Sequence, residues 1–168
     1  PEVLMDGNHT IDQCFSVTEA TLTEVYAQLN RQGVSLEGSL LKPNMVLSGK
    51  QADDRADMYE VAEKTLTCLT RTVPAAVPGI VFLSGGQDDE EATVNLNAIN
   101  QLAEQVGTPW ELAFSYGRSL QSAPLGVWLG KEANLAKASA VFYGRARATS
   151  SARMGQYAPI LEKNMVGS

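Results

Sequence analysis

The chain has 168 residues, with 44% hydrophobic and 19% charged side chains and a formal net charge of −6. That balance fits a globular protein and excludes a disordered one, while the acidic charge argues against a general nucleic-acid binder. No apolar run approaches the roughly 18–20 residues that span a bilayer, and the start does not resemble a signal peptide.

Cys14 and Cys68 belong to no C-x-x-C or Cys/His pattern, so neither a zinc site nor a disulfide framework is indicated. A reducing cytoplasm fits that usage. His9 lies in a polar stretch and reads as a solvated turn residue. Pro1-Glu2-Val3-Leu4 opens as though partway through a strand, and the chain is expected to be part of a longer protein.

Ser16-Val17-Thr18-Glu19 has the form of a capping box and predicts a helix to about Gln32, with Leu22, Val25, Tyr26 and Leu29 on its buried stripe. Val34 to Asn44 reads as a short strand ending at Pro43. A second helix is predicted over Arg55 to Thr70. Ile80 to Leu83 is a continuous apolar run of strand type, closed by Ser84-Gly85-Gly86 and followed by a helix from Asp88 to Gln105. Trp110 to Ser115 reads as another strand, Tyr116-Gly117-Arg118 as the loop after it, and Leu135 to Ala152 as a final Ala-rich helix.

Strands without alternation imply burial on both faces, and alternating strands and helices imply a parallel α/β sheet. No G-x-G-x-x-G follows a strand, so a barrel is favoured over a Rossmann sheet. A whole (β/α)8 TIM barrel needs about 250 residues. The expectation is therefore its C-terminal portion, strands 6 to 8 plus a stub of strand 5 at Glu2 to Leu4. Residues 1–168 would form this partial domain, with 157–168 a mobile tail. Exposed strand edges and an unfilled interior should leave it unstable alone or prone to associate.

Lys42 follows Leu40 and Leu41 at a strand's C-terminal end, where barrel enzymes place catalytic groups. In a dry setting a lysine's free amine is favoured and can attack a carbonyl; the resulting iminium is an electron sink for carbon–carbon cleavage. A lysine snorkelling from a strand end is the structural alternative. Ser84-Gly85-Gly86 before a helix start lets backbone amides approach an anion, although the same residues suit an ordinary turn. Ser115-Tyr116-Gly117-Arg118 adds a hydroxyl, a flexible position and a guanidinium that can grip phosphate. Together the two loops fit the barrel habit of binding phosphate after strands 7 and 8.

The segment Val34 to Asn44, VSLEGSLLKPN, resembles the active-site signature of class I fructose-bisphosphate aldolases, with Lys42 at the Schiff-base position. GIVFLSGGQ (79–87), LNAIN (96–100) and FSYGR (114–118) are similar to further segments of that family, in the same order. The resemblance implies reversible cleavage of fructose 1,6-bisphosphate to dihydroxyacetone phosphate and glyceraldehyde 3-phosphate, without metal or cofactor, in glycolysis and gluconeogenesis. It also implies that Ser84, Gly85, Gly86, Ser115, Gly117 and Arg118 hold a substrate phosphate, and that the intact parent is a homotetramer; the cytoplasmic location and the lack of a nucleic-acid or membrane partner are expected from the cysteine usage, the charge and the absence of a long apolar run.

The family pattern Val-Glu-Pro-Glu meets this chain at its Pro1, so Glu2 matches the second glutamate, close to the Schiff-base lysine. The first glutamate, the family's acid/base, and the earlier strands would be lacking, and turnover by this chain alone is not expected. The family's Trp-Gly-Gly is Trp128-Leu129-Gly130 here, and the chain does not end on the tyrosine of many eukaryotic members. The competing expectation is a noncatalytic fragment or interaction module that retains phosphate-binding loops.

Overall fold

A computed structural model describes residues 1–160. Helix α1 spans Ile11–Arg31 and begins where Thr10 and Gln13 close a reciprocal capping box: Gln13 N donates to Thr10 Oγ1 at 3.2 Å, and Thr10 N donates to Gln13 Oε1 at 2.8 Å. The start expected at Ser16 is therefore superseded. Ser16 lies inside the helix, its hydroxyl donating to Asp12 O at 2.9 Å. Leu22 and Tyr26 of the predicted stripe are buried, together with Ile11 and Cys14.

The segment expected as one strand from Val34 to Asn44 is mostly something else. Leu36–Gly38 forms a 3-10 turn, and only Leu40–Leu41 pairs as strand β1. Helix α2, Met58–Thr72, starts later than Arg55 because Asp57 caps it, accepting from the amides of Tyr59 and Glu60. Strand β2 is Gly79–Phe82, and helix α3 is Asp89–Val106 with Asp88 as its cap. Strand β3 is Glu111–Phe114. The sequence reading left out α4, Arg118–Trp128, which contains Pro124. Helix α5, Leu135–Arg153, packs on α3 and α4.

The sheet is all parallel in the order β1-β2-β3, with Leu41 opposite Ile80 and Phe82 opposite Phe114. Crossover helices follow from this, because parallel neighbours cannot be joined by a tight turn. The core lies on the helix-covered face: Leu41, Ile80, Phe82 and Leu112 are buried against Val61, Leu66, Leu69, Leu96 and Ile99.

The opposite face differs from the expected two-sided burial. Leu40 is 64% exposed, and Val81, Leu83 and Ala113 are only half-buried.

Residues 1–5 form no strand, so the expected stub is not part of the sheet. Val3 N donates instead to the side chain of Asn44, Oδ1, at 2.9 Å, which takes a ladder donor out of use. At the other end, Tyr157 is buried and its amide donates to Asn97 Oδ1 at 2.9 Å. Of the tail expected over 157–168, residues 161–168 lie outside the described residues.

Candidate active site

Parallel pairing brings the C-terminal ends of all three strands to one edge. Leu83 N donates to Pro43 O at 3.0 Å and Ser115 N donates to Phe82 O at 2.8 Å, so the three post-strand segments run side by side. Lys42, Ser84 and Ser115 thus sit on neighbouring strand exits.

The loops after β2 and β3 border a cleft of about 510 Å³ whose lining includes Gly85, Gly86, Arg118, Ser122 and Lys50. Gly85 has φ +58°, the left-handed region that glycine enters at little cost. Its carbonyl accepts from Arg118 Nη2 at 2.8 Å, which ties the two loops together and leaves the other guanidinium donors uncommitted to that bond. Gly86 is needed for a different reason: a Cβ there would stand 3.0 Å from Met5 Cβ and 3.3 Å from Lys50 Cε. The N-termini of α3 and α4 both open on this cleft, bringing unpaired amides and positive dipole ends to it.

Not every nominated residue lies on the cleft wall. Ser84 is buried beneath the loop, and its carbonyl accepts from Gln87 N and Gln87 Nε2. Ser115 is exposed, but its amide is spent on β2. Gly117 caps α4 with φ −95°, a conformation open to any residue, and a Cβ there would meet nothing. Tyr116 anchors its loop, its hydroxyl donating to Ala92 O at 3.0 Å, and burial pushes its phenol far above the ordinary range.

Lys42 is exposed, as is Glu2. The dry enclosure expected around Lys42 is therefore not formed by the described residues: Leu41 turns into the core while Leu40 faces outward. Glu2 reaches toward the Ser84 to Gly86 loop, and a Cβ on Gly85 would stand 3.6 Å from its Oε1.

The thiols are structural. Cys14 Sγ accepts from Leu47 N at 3.4 Å, and burial raises its pKa. Cys68 is fully buried, and desolvation pushes it up to about 12. Among the described residues no group of His, Cys, Asp and Glu could hold a metal ion, and no helix is long and apolar enough to cross a membrane.

The sequence reading missed Lys50. Its amide donates to Met5 O at 2.8 Å, beside Gly49 N to His9 O and Gln51 N to Gly7 O, so residues 49–51 are zipped onto residues 5–9. That long-range pairing has no local sequence signal.

Residues 1–167 match the profile described as fructose-bisphosphate aldolase class-I. The chain is 55% identical to the cytosolic fructose-bisphosphate aldolase 5 of Arabidopsis thaliana, over 94% of this chain and 43% of that protein. It is 53% identical to fructose-bisphosphate aldolase B of Gallus gallus over the same shares. The solved structure of fructose-bisphosphate aldolase from Plasmodium falciparum superposes with a TM-score of 0.90 at 50% identity, covering 94% of this chain and 45% of that one. The chain thus spans less than half the length of these relatives.

Proposed function

Since the chain belongs to the class I fructose-bisphosphate aldolase family, we propose that it supplies the Schiff-base lysine and a phosphate cradle for reversible cleavage of fructose 1,6-bisphosphate. The observation that carries this reading is the shared edge, where Lys42 leaves β1 beside the Ser84 to Gly86 loop and the Ser115 to Arg118 loop. In this reading β1, β2 and β3 are strands 6 to 8 of a (β/α)8 barrel, residues 1–168 are one part of that domain, and the whole parent works in the cytoplasm as a homotetramer.

The amine of Lys42 adds to the ketone carbon of the open-chain sugar and water leaves, giving a cationic imine. A carboxylate base takes the proton from the C4 hydroxyl. The C3–C4 bond breaks, glyceraldehyde 3-phosphate departs, and the bonding pair moves toward the imine nitrogen to leave an enamine. Protonation at C3 and hydrolysis of the imine release dihydroxyacetone phosphate and restore the amine. Glu2 offsets the cationic charge, while the acid/base role belongs to the glutamate that the family pattern places just ahead of Pro1. Gly85, Gly86 and Arg118 contact the phosphate; Ser84, Ser115 and Gly117 shape the two loops that carry them.

Borohydride reduction in the presence of dihydroxyacetone phosphate, followed by peptide mass mapping, tests the chemistry. The expected product is a stable adduct at Lys42 that Lys42→Met abolishes. An adduct at another lysine, or none in the intact parent, sinks the reading.

The exposure of Lys42 favours a second reading for this chain alone, a noncatalytic fragment or interaction module that retains the phosphate-binding loops. Cleavage of the bisphosphate by the 168-residue chain, at a rate like that of an intact aldolase, would reject it.

A further inference from the structure

We propose that Lys50 is a second cationic phosphate ligand, facing Arg118 across the Gly85-Gly86 loop. This rests on the reading of that loop as the phosphate cradle and adds to it a residue that the family signature segments do not include.

Four observations place Lys50 there. It lines the same cleft as Gly85, Gly86 and Arg118. Its stem packs on the loop, with Cε 3.3 Å from the position of a Gly86 Cβ, which holds the end of the side chain beside the loop that lines the cleft. Its backbone is fixed by the 49–51 to 5–9 pairing, and Gly49 makes that pairing close: a Cβ on Gly49 would meet Gly7 O at 2.2 Å. Finally, the described hydrogen bonds and ion pairs give the Lys50 ammonium no partner among the described residues, whereas Lys64 is already paired with Asp12.

The cleft also needs the charge. Asp88 and Glu90 are also among its lining residues, and their carboxylates repel a phosphate dianion. Asp88 is partly engaged as the cap of α3, accepting from Glu91 N at 2.8 Å. Arg118, the guanidinium in that lining, has one donor held by Gly85 O. A lysine in the same lining supplies a compact, freely rotating donor set that complements the planar guanidinium.

The test is phosphate affinity, read by titrating inorganic phosphate and fructose 1,6-bisphosphate into the 168-residue chain and following amide shifts of Gly85 and Gly86. Lys50 is exposed, so its variants should keep the fold, which the remaining amide spectrum checks. Lys50→Met should weaken both ligands roughly five- to tenfold, Lys50→Arg should restore most of the loss, and Lys131→Met, an equal change in net charge at an exposed remote site, should leave affinity unchanged. If Lys50→Met binds like the unsubstituted chain while Arg118→Met does not, the inference about Lys50 fails and the cradle stands. If Lys131→Met weakens binding as much as Lys50→Met, the effect is net charge and the inference fails. If the unsubstituted chain and the intact parent show no phosphate-dependent shift at Gly85 or Gly86, the cradle and the inference fail together.

Discussion

At Leu129 a side chain occupies a backbone conformation that suits glycine. Its φ is +53° and ψ +24° as it ends α4, and it is the one non-glycine residue with positive φ among the described residues. The family's Trp-Gly-Gly, which is Trp128-Leu129-Gly130 here, then has a physical meaning: the middle position requires a left-handed turn. Leu129 is 65% exposed, so its side chain returns little burial energy for the strain. Replacing it with glycine removes the Cβ clash but raises the entropy of the unfolded chain. The net expectation for Leu129→Gly is about 0.5–1 kcal/mol of stabilisation, measured as a higher urea midpoint with unchanged slope. A lower midpoint would mean that Leu129 packs in solution. The sequence displayed this position only as a departure from a pattern; the strain became visible once the turn was built. Short local motifs nominate Lys42 and Arg118 from sequence, whereas Lys50 reaches the cleft through pairing between residues 5–9 and 49–51, which leaves no local signal.

The elements show the same division between local and distant causes. Apolar runs and caps located α2, α3, β2 and β3 to within a few residues, because their determinants are neighbours in sequence. The start of α1 was misplaced because two capping sequences compete there, and Thr10 with Gln13 offers both reciprocal bonds one turn and a half earlier than Ser16 would. Helix α4 was hidden by Pro124, which removes an interior amide donor; packing against α5 nevertheless holds the helix together. That packing depends on Arg145, which is 3% exposed. From α5 its Nη2 donates to Asp89 O at 2.6 Å and to Thr93 Oγ1 at 2.7 Å, both on α3, while Nε points at Ser119 O on α4, 3.4 Å away. The guanidinium therefore joins the N-terminal parts of the two helices that flank the cleft. Arg145→Met keeps the bulk and strands these buried acceptors, at a cost of about 2–4 kcal/mol. In thermal unfolding this should appear as a loss of roughly 5–15 °C. A change of less than about 2 °C would show that water or a rearranged side chain satisfies the acceptors.

Across the whole molecule, the sheet is finished on one face and open on the other. The alternation along β1 to β3 puts Leu41, Ile80, Phe82 and Leu112 under the helices, and leaves Leu40 exposed and Val81, Leu83 and Ala113 half-buried. Parallel sheets ordinarily have both faces covered. The sequence signalled that requirement, since β2 reads as an unbroken apolar run, yet the residues that would meet the second face are not among those described. Among the described residues strands β1 and β3 also end the sheet with unpaired edges, and the outer residue Leu40 is a large apolar side chain rather than the charge that blunts natural edges. Such a surface lowers its free energy by meeting another apolar surface, and copies of the same chain offer one at micromolar concentrations. In sedimentation velocity the 168-residue chain is expected to show a weight-average mass that rises with concentration. Leu40→Lys should move the distribution toward monomer, because an edge ammonium must be desolvated for the faces to meet. Lys42 is the next residue on that strand and on the same side in an extended continuation, so association would cover it as well and suppress borohydride trapping at high protein concentration. A monomer mass that is independent of concentration, with trapping equally efficient throughout, would show that water tolerates the open face.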